Sequence, residues 1–326
     1  MPRHPPSASK HPGVPGRSAR QPTEIPSRGW KQILRRVVGE FGEDQVLLVA
    51  AGVTFYLLLA MVPALTALVS VYGLFADPAD VERHLASLQG FLPGGAQEVV
   101  GQQLNRLVAQ SGGGLGFALA GSLLLALWSA NAGTKALFTA MNVAYDEAEH
   151  RGFVRLTLIT MGFTIGTGML MIALLGSVVL LPNLASLLNL GALVDGAIRL
   201  LSAVVLIAAG LAILAALYRW GPSRASARWR WITPGAIVAL VVAALGSTAF
   251  SWYVGNFGSY NRTYGSLGAI IGFMTWIWLM VTVVIGGAEL NAEMEHQTAR
   301  DTTTGPEQPM GTRGARMADT LPNERG

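Results

Sequence analysis

Cysteine is absent from the 326 residues, so neither a disulfide framework nor a thiolate metal site can form. Charge is scarce: Asp, Glu, Lys and Arg make up 13% of the chain and hydrophobic residues 51%, against about 25% charged in soluble globular proteins. The five histidines are scattered and no compact acidic cluster accompanies them. A nuclease needs acid–base or metal groups converging on phosphate, and this distribution does not supply them. The little charge there is stays out of six long stretches, Gln45–Ala76, Ser111–Thr134, Leu156–Val194, Leu200–Tyr218, Trp231–Asn261 and Thr263–Ala288, which also lack histidine. About 18 or more predominantly apolar residues cross a hydrocarbon core as a helix. The expectation is an all-α, polytopic integral membrane protein with six transmembrane helices, near 46–76, 114–138, 156–181, 199–218, 232–256 and 264–290.

The net charge of +4 matters less than its placement. Lys and Arg crowd before the first span, from Arg3 to Arg36, between the fourth and fifth at Arg219, Arg224, Arg228 and Arg230, and after the last from Arg300 onward. The connections after the first, third and fifth spans are poor in basic residues, with Arg83 and Arg106 offset by four acids in the first and Arg262 alone in the last. By the positive-inside rule both termini are expected in the cytoplasm. Residues 1–27 and 298–326 are rich in Pro, Ser, Gly and Arg without an apolar core segment, so both read as disordered cytoplasmic tails around a membrane domain at 28–297.

Trp30, Ile33, Leu34, Val37, Val38 and Phe41 recur at helical spacing, with Lys31, Arg35 and Arg36 on other faces. This predicts an amphipathic helix in the membrane interface, its cations on lipid phosphates. Pro63 is expected to kink the first span. Asp77–Gln110 reads as an outer helical hairpin broken at Pro93-Gly94-Gly95, and Pro182-Asn183 as the end of the third span. Pro234 falls near the first turn of the fifth, where it is tolerated. In the last span Gly265, Gly268, Gly272, Trp276, Leu279, Val283 and Gly287 step along one face, and small residues at this spacing let helices approach closely. That span is expected at the centre of the bundle.

Several local patterns together resemble the YihY/BrkB-like inner-membrane protein family, formerly labelled ribonuclease BN. The first span reads AAGVTFYLLLAMVPAL, with Ala51, Phe55, Tyr56 and Pro63 at the family's alanine, aromatic pair and proline. The second reads WSANAGTKALFTAMNVAYDE, followed by RGFVRL. The fourth ends LYRWGP, the fifth opens WITPGA, and the sixth reads YGSLGAIIGFMTWIWLM before closing with GAELNAE. The resemblance covers about Trp30 to Gln297 and implies six helical spans in an inner membrane and a role in envelope physiology. It also puts Tyr145, Asp146 and Arg155 in a recurrent motif.

Asn131 and Lys135 lie one turn apart near the inner end of the second span. An ionisable group at that depth usually faces a cavity or partner, so the pair is a candidate for an anionic headgroup; a snorkelling lysine beside a packing asparagine is the plain alternative. Arg262 and Tyr264 are the corresponding outer candidates. Tyr56, Pro63, Asp146, Arg155 and Glu289 are candidates for coupling or gating, Asp146 and Arg155 within a charged connection that also serves as ion pairs and caps. Glu289, Glu293 and His296 share a helix face, but a metal would need a further ligand and an enclosed site, so no metal or other cofactor is expected. The arginines and tryptophans of Arg219–Trp231 suit an anionic membrane surface better than nucleic acid. The favoured reading is a non-enzymatic membrane protein that moves or accommodates an anionic lipid or other amphiphile. A non-catalytic envelope scaffold and an ion- or proton-coupled solute transporter are the alternatives. Membrane lipids are the expected partners, nucleic acid is not, and a homo-oligomer stays open.

Overall fold

The computed structural model describes residues 14–72, 115–187, 192–257 and 266–322. Among these the chain is helical without a named strand: α1 (Ser27–Glu43), α2 (Val46–Tyr72), α3 (Leu115–Ala144), α4 (Phe153–Leu187), α5 (Ala192–Trp220), α6 (Trp229–Phe257), α7 (Ser266–His296) and the short α8 (Arg316–Asp319). Four described segments, Phe153–Leu174, Gly196–Trp220, Trp229–Asn256 and Ile270–His296, are long and apolar enough to cross a membrane, and α1 with the start of α2 makes a fifth if that bent pair is counted as one span. Large apolar side chains such as Leu48, Leu124, Leu158, Leu200 and Leu245 are exposed, the reverse of a soluble fold and the pattern of helices solvated by lipid.

α7 packs against α1, α2, α3, α6 and α8, so the last span is central as expected. On the face that the small-residue step marks, the close contact falls at Gly287 and not at Gly272. A Cβ on Gly272 would meet nothing within 4 Å, whereas one on Gly287 would strike the Tyr218 hydroxyl and lie 2.8 Å from both Ala239 Cβ and the Gly235 carbonyl. The close approach is therefore between Gly287 of α7 and Gly235 of α6; Gly265 lies outside the described residues. Pro234 is inside α6, deeper than the first turn. Asn291 of α7, fully buried, repairs the ladder there by accepting from the Gly235 amide (2.8 Å) and donating to the Ile232 carbonyl (3.0 Å). Helix breakers at membrane depth survive where neighbouring side chains take up the freed backbone groups.

α1 and α2 meet at 62°. Gln45 takes φ 48°, a left-handed conformation rare for a side chain other than glycine, so the chain turns within two residues. The apolar stripe of α1 is divided. Ile33, with Trp30 and Val37, packs on Trp231, Leu290 and Met294, while Leu34 and Val38 stay exposed. Arg36 pairs with Glu293 and donates to Gln297 (2.6 Å), so this cation serves α7 and not a lipid phosphate.

Two other expectations change. α4 runs through Pro182 to Leu187, because unravelling a helix among lipid tails exposes several backbone groups and costs more than the roughly 3 kcal/mol of an internal proline. The tails, where described, are not disordered. Residues 14–26 lie along α7, with Gln297 donating to the Pro15 carbonyl (2.7 Å) and Thr298 to that of Ala19 (2.7 Å). Residues 298–322 fold back across the same end of the bundle: Thr303 pairs with Ala227, Met317 and Ala318 are buried, and Arg313 donates to the carbonyls of Ala299, Arg300, Gln308 and Ala318. Composition predicts disorder because such segments bury little apolar surface; here polar groups saturated by one another supply the order instead. The outer hairpin Asp77–Gln110 lies outside the described residues.

Candidate functional site

The end of the bundle that holds both described terminal segments carries two clefts of opposite character. The basic one, about 450 Å³, lies between the α3–α4 connection and the α5–α6 loop, lined by His150, Arg151, Arg155, Arg219, Trp220 and Arg224 among others. Its wall is built from Asn142 on α3, which donates to Glu149 (2.9 Å) and accepts from the Ser223 amide (2.7 Å). Arg151 grips Glu149 through two nitrogens at 2.7 Å and reaches the carbonyls of Trp220 and Gly221. These hydrogen bonds from Arg151, first of all, hold the Glu149 carboxyl down to about 2. Burial pushes Glu147 up, against the Arg316 amide it accepts from.

Most cations of this cleft are engaged. Arg224 forms a two-pronged pair with Glu295, both side chains sealed from solvent, and stacks 4.3 Å over Tyr145. Arg219 donates to the Ala227 carbonyl (2.5 Å) and sits over Trp229, while Arg228 donates to that of Thr303 (2.8 Å). The arginines of the α5–α6 loop thus face protein more than membrane. Arg155 is exposed and has no hydrogen bond or ion pair among the described residues. Around it Phe153, Val154, Trp220 and Trp229 are exposed too, the mixture of cation, indole and apolar surface found at the headgroup level of a bilayer.

The acidic cleft, about 570 Å³, gathers Glu40 and Glu43 of α1, Asp44 in the bend, Asp146 after α3, and Glu289, Glu293 and His296 of α7, with Arg316 and Met317 along its rim. Asp146 has φ 54° and pairs with Arg316 at 2.7 Å. His296 Nδ1 is 3.7 Å from Glu293. Among the described residues no three His, Asp or Glu side chains converge as metal ligands would.

The candidates drawn from the sequence are dispersed over this framework. Asn131 is buried with its Oδ1 lacking a donor. Lys135 donates to Thr157 (2.9 Å) and lies 4.8 Å over Phe153, beside the Thr134–Thr164 contact that joins α3 to α4. Tyr56 is exposed against Phe55 on α2, and the helix runs on through Pro63. Asp146 and Glu289 meet in the acidic cleft; Arg155 lines the basic one. Arg262 and Tyr264 lie outside the described residues. The pairings that build both clefts escaped the sequence reading, since residues such as Arg224, read as a membrane-surface cation, and its partner Glu295 lie 71 positions apart.

Long helices with apolar side chains exposed along their lengths define a multi-pass α-helical membrane protein. The chain belongs to the Virulence factor BrkB family, whose profile matches residues 37–311, in agreement with the YihY/BrkB motifs. It is 32% identical over 252 residues to a ribonuclease-like protein, YfkH, of Bacillus subtilis, covering 74% of this chain and 88% of that one. It is 29% identical to a UPF0761 membrane protein of Neisseria meningitidis serogroup B over 80% of this chain, and spans 62% of that relative's length. A UPF0761 membrane protein of Photobacterium profundum is 26% identical over 77% of each. No solved structure matches.

Proposed function

We propose that this membrane protein receives an anionic lipid or similar amphiphile at the end bearing the two clefts and passes it between leaflets. In this reading that end faces the cytoplasm and the membrane is a bacterial inner membrane, an orientation that the basic residues concentrated there support. The observation that carries the reading is Arg155: a guanidinium without a partner among the described residues, in a cleft whose other arginines are committed, beside exposed tryptophans. A headgroup phosphate satisfies it, and the neighbouring apolar surface accepts the acyl part. Lys135, already on Thr157 and Phe153, serves as a second cation deeper along α3, with Asn131 one turn further. Arg262 and Tyr264 would meet the headgroup on the far side. The ribonuclease-like name of the Bacillus relative remains that relative's own; here it would need a site for RNA phosphate outside the features described.

The test is transfer of fluorescent anionic and zwitterionic lipids in vesicles with and without the full chain. A juxtamembrane cation contributes about 1 kcal/mol toward an anionic headgroup, so Arg155→Gln should slow anionic transfer about fivefold and leave zwitterionic transfer unchanged. No protein-dependent transfer of any lipid would remove the proposal and favour a scaffold.

A further inference from the structure

The acidic cleft has a property that the basic one lacks. Glu289 is 1% exposed, lines the cleft, and its Oε1 has no hydrogen-bond donor. Asp44, in the α1–α2 bend, lines the same cleft. Two carboxylates are both acceptors, so they can bond to each other only when one of them carries a proton. The alternative, two bare charges side by side away from water, is what proton sharing relieves in paired carboxylates generally.

The surroundings do not supply a positive charge in the proton's place. From α1, Glu40 and Glu43 face the same cleft, and Arg36 is taken up by Glu293 and Gln297. From the end of α3, Asp146 holds Arg316 of the C-terminal segment. On α7 itself His296 leans on Glu293, and from α5 the Tyr218 hydroxyl donates to the Val284 carbonyl (2.8 Å) and not to Glu289. Among the described residues around the cleft, the cations Arg36, His296 and Arg316 each lean on another acid, which leaves Asp44 and Glu289 to each other.

We propose that Asp44 and Glu289 form a proton-binding site, taking one proton from water in the cleft and holding it between the bend of α1–α2 and the central helix α7. Asp44 caps α1 next to the left-handed Gln45. A proton shared with Glu289 therefore clamps the 62° bend to α7, and its release to cleft water leaves two like charges across that junction. Protonation closes the clamp and deprotonation loosens it, whether or not the protein moves lipid.

Infrared difference spectra of the full-length protein in lipid vesicles, recorded in H₂O and D₂O, read this directly. The wild type should show a protonated carboxylic-acid C=O band at neutral pH that shifts in D₂O and disappears as pH is raised. Glu289→Gln should abolish the band. Asp44→Asn, which keeps the size of the side chain, should move it in frequency, and Glu43→Gln should leave it as it is. Melting should agree in sign: a proton bound more tightly in the folded state adds stability that declines as pH rises, and that decline should flatten in Glu289→Gln. A neutral-pH wild-type spectrum without such a band, or a band that persists unaltered in both Glu289→Gln and Asp44→Asn, would overturn the proposal.

Discussion

Asn291→Ala should be among the most damaging small substitutions in this chain, and the reason lies in α6. Pro234 has no amide hydrogen and its ring crowds the preceding turn, so the Gly235 amide turns to Asn291 Oδ1 at 2.8 Å while Asn291 Nδ2 holds the Ile232 carbonyl at 3.0 Å. Alanine removes both partners from groups with no access to water. An orphaned buried backbone group costs about 1–3 kcal/mol, although polar contacts within membrane bundles average nearer 0.6 kcal/mol. Two such groups put the loss at about 2–4 kcal/mol, a 30-fold or greater shift in the folded fraction. The eight tryptophans make fluorescence in mixed micelles, titrated with a denaturing detergent, a direct assay. The decisive arm is Pro234→Ala. With alanine there, α6 recovers an ordinary hydrogen-bond ladder and the Gly235 amide regains a carbonyl in its own helix. Asn291→Ala in that background should then cost no more than half as much. Additivity within about 0.5 kcal/mol, or a single variant as stable as wild type, would refute the account of Asn291 as the mend in a proline-broken helix.

At the same crossing, Gly287→Ala should lower the melting temperature through overpacking of about 1–3 kcal/mol, whereas Gly272→Ala, with nothing within 4 Å of its new Cβ, should not. Arg224→Ala should cost about 3–5 kcal/mol by leaving Glu295 charged and enclosed, and Arg224→Met with Glu295→Met should cost less than either single change, as melts of the four proteins would show. Glu149, ordinarily near 4.5 and held at about 2, lends stability that is complete above its ordinary value and lost as pH falls through about 2. The shift caps that contribution at about 3 kcal/mol, and solvent around this partly exposed carboxylate reduces it to about 1 kcal/mol. Acid melts between about pH 5 and 2 should show the loss in wild type and not in Glu149→Gln. Single cysteines at the exposed positions Ala148 and Thr312, free of native thiols, should react with an impermeant maleimide only after cells are opened; labelling of intact cells would reverse the assigned orientation.

Hydropathy located the long helices because lipid demands apolar side chains all round, and that demand is written into every turn. Amphipathic spacing likewise located α1, but spacing states which residues share a face and not what covers it: Ile33 and Val38 belong to one stripe, yet the first meets α7 and the second is exposed. The glycine step in the last span identified a central helix and contained the contact residue Gly287 without singling it out from Gly272, since close packing needs a matching small residue opposite, and Gly235 stands opposite Gly287 only through the fold. Charge was the least legible. Arg36 and Arg224 read as membrane cations and are held by Glu293 and Glu295, acids that sit two residues apart on a helix whose partners no local pattern discloses. For the same reason the C-terminal segment, poor in apolar residues, carried no sign that Arg313 would gather four carbonyls around itself.

The position of that segment along the chain bears on how the protein is made. Residues 298–322 follow every spanning helix, so they leave the ribosome only after α7 has been synthesised. Until then Arg313 and Arg316 are missing, the Ala227 loop has no strand partner, and Asp146 has no counter-ion. A nascent chain halted anywhere before this segment has its helices in the bilayer and an unfastened rim, displaying Asp146 and the Ala227 loop that residues 298–322 later engage. The order of synthesis thus makes the closing of this rim a step that can only follow the packing of α7.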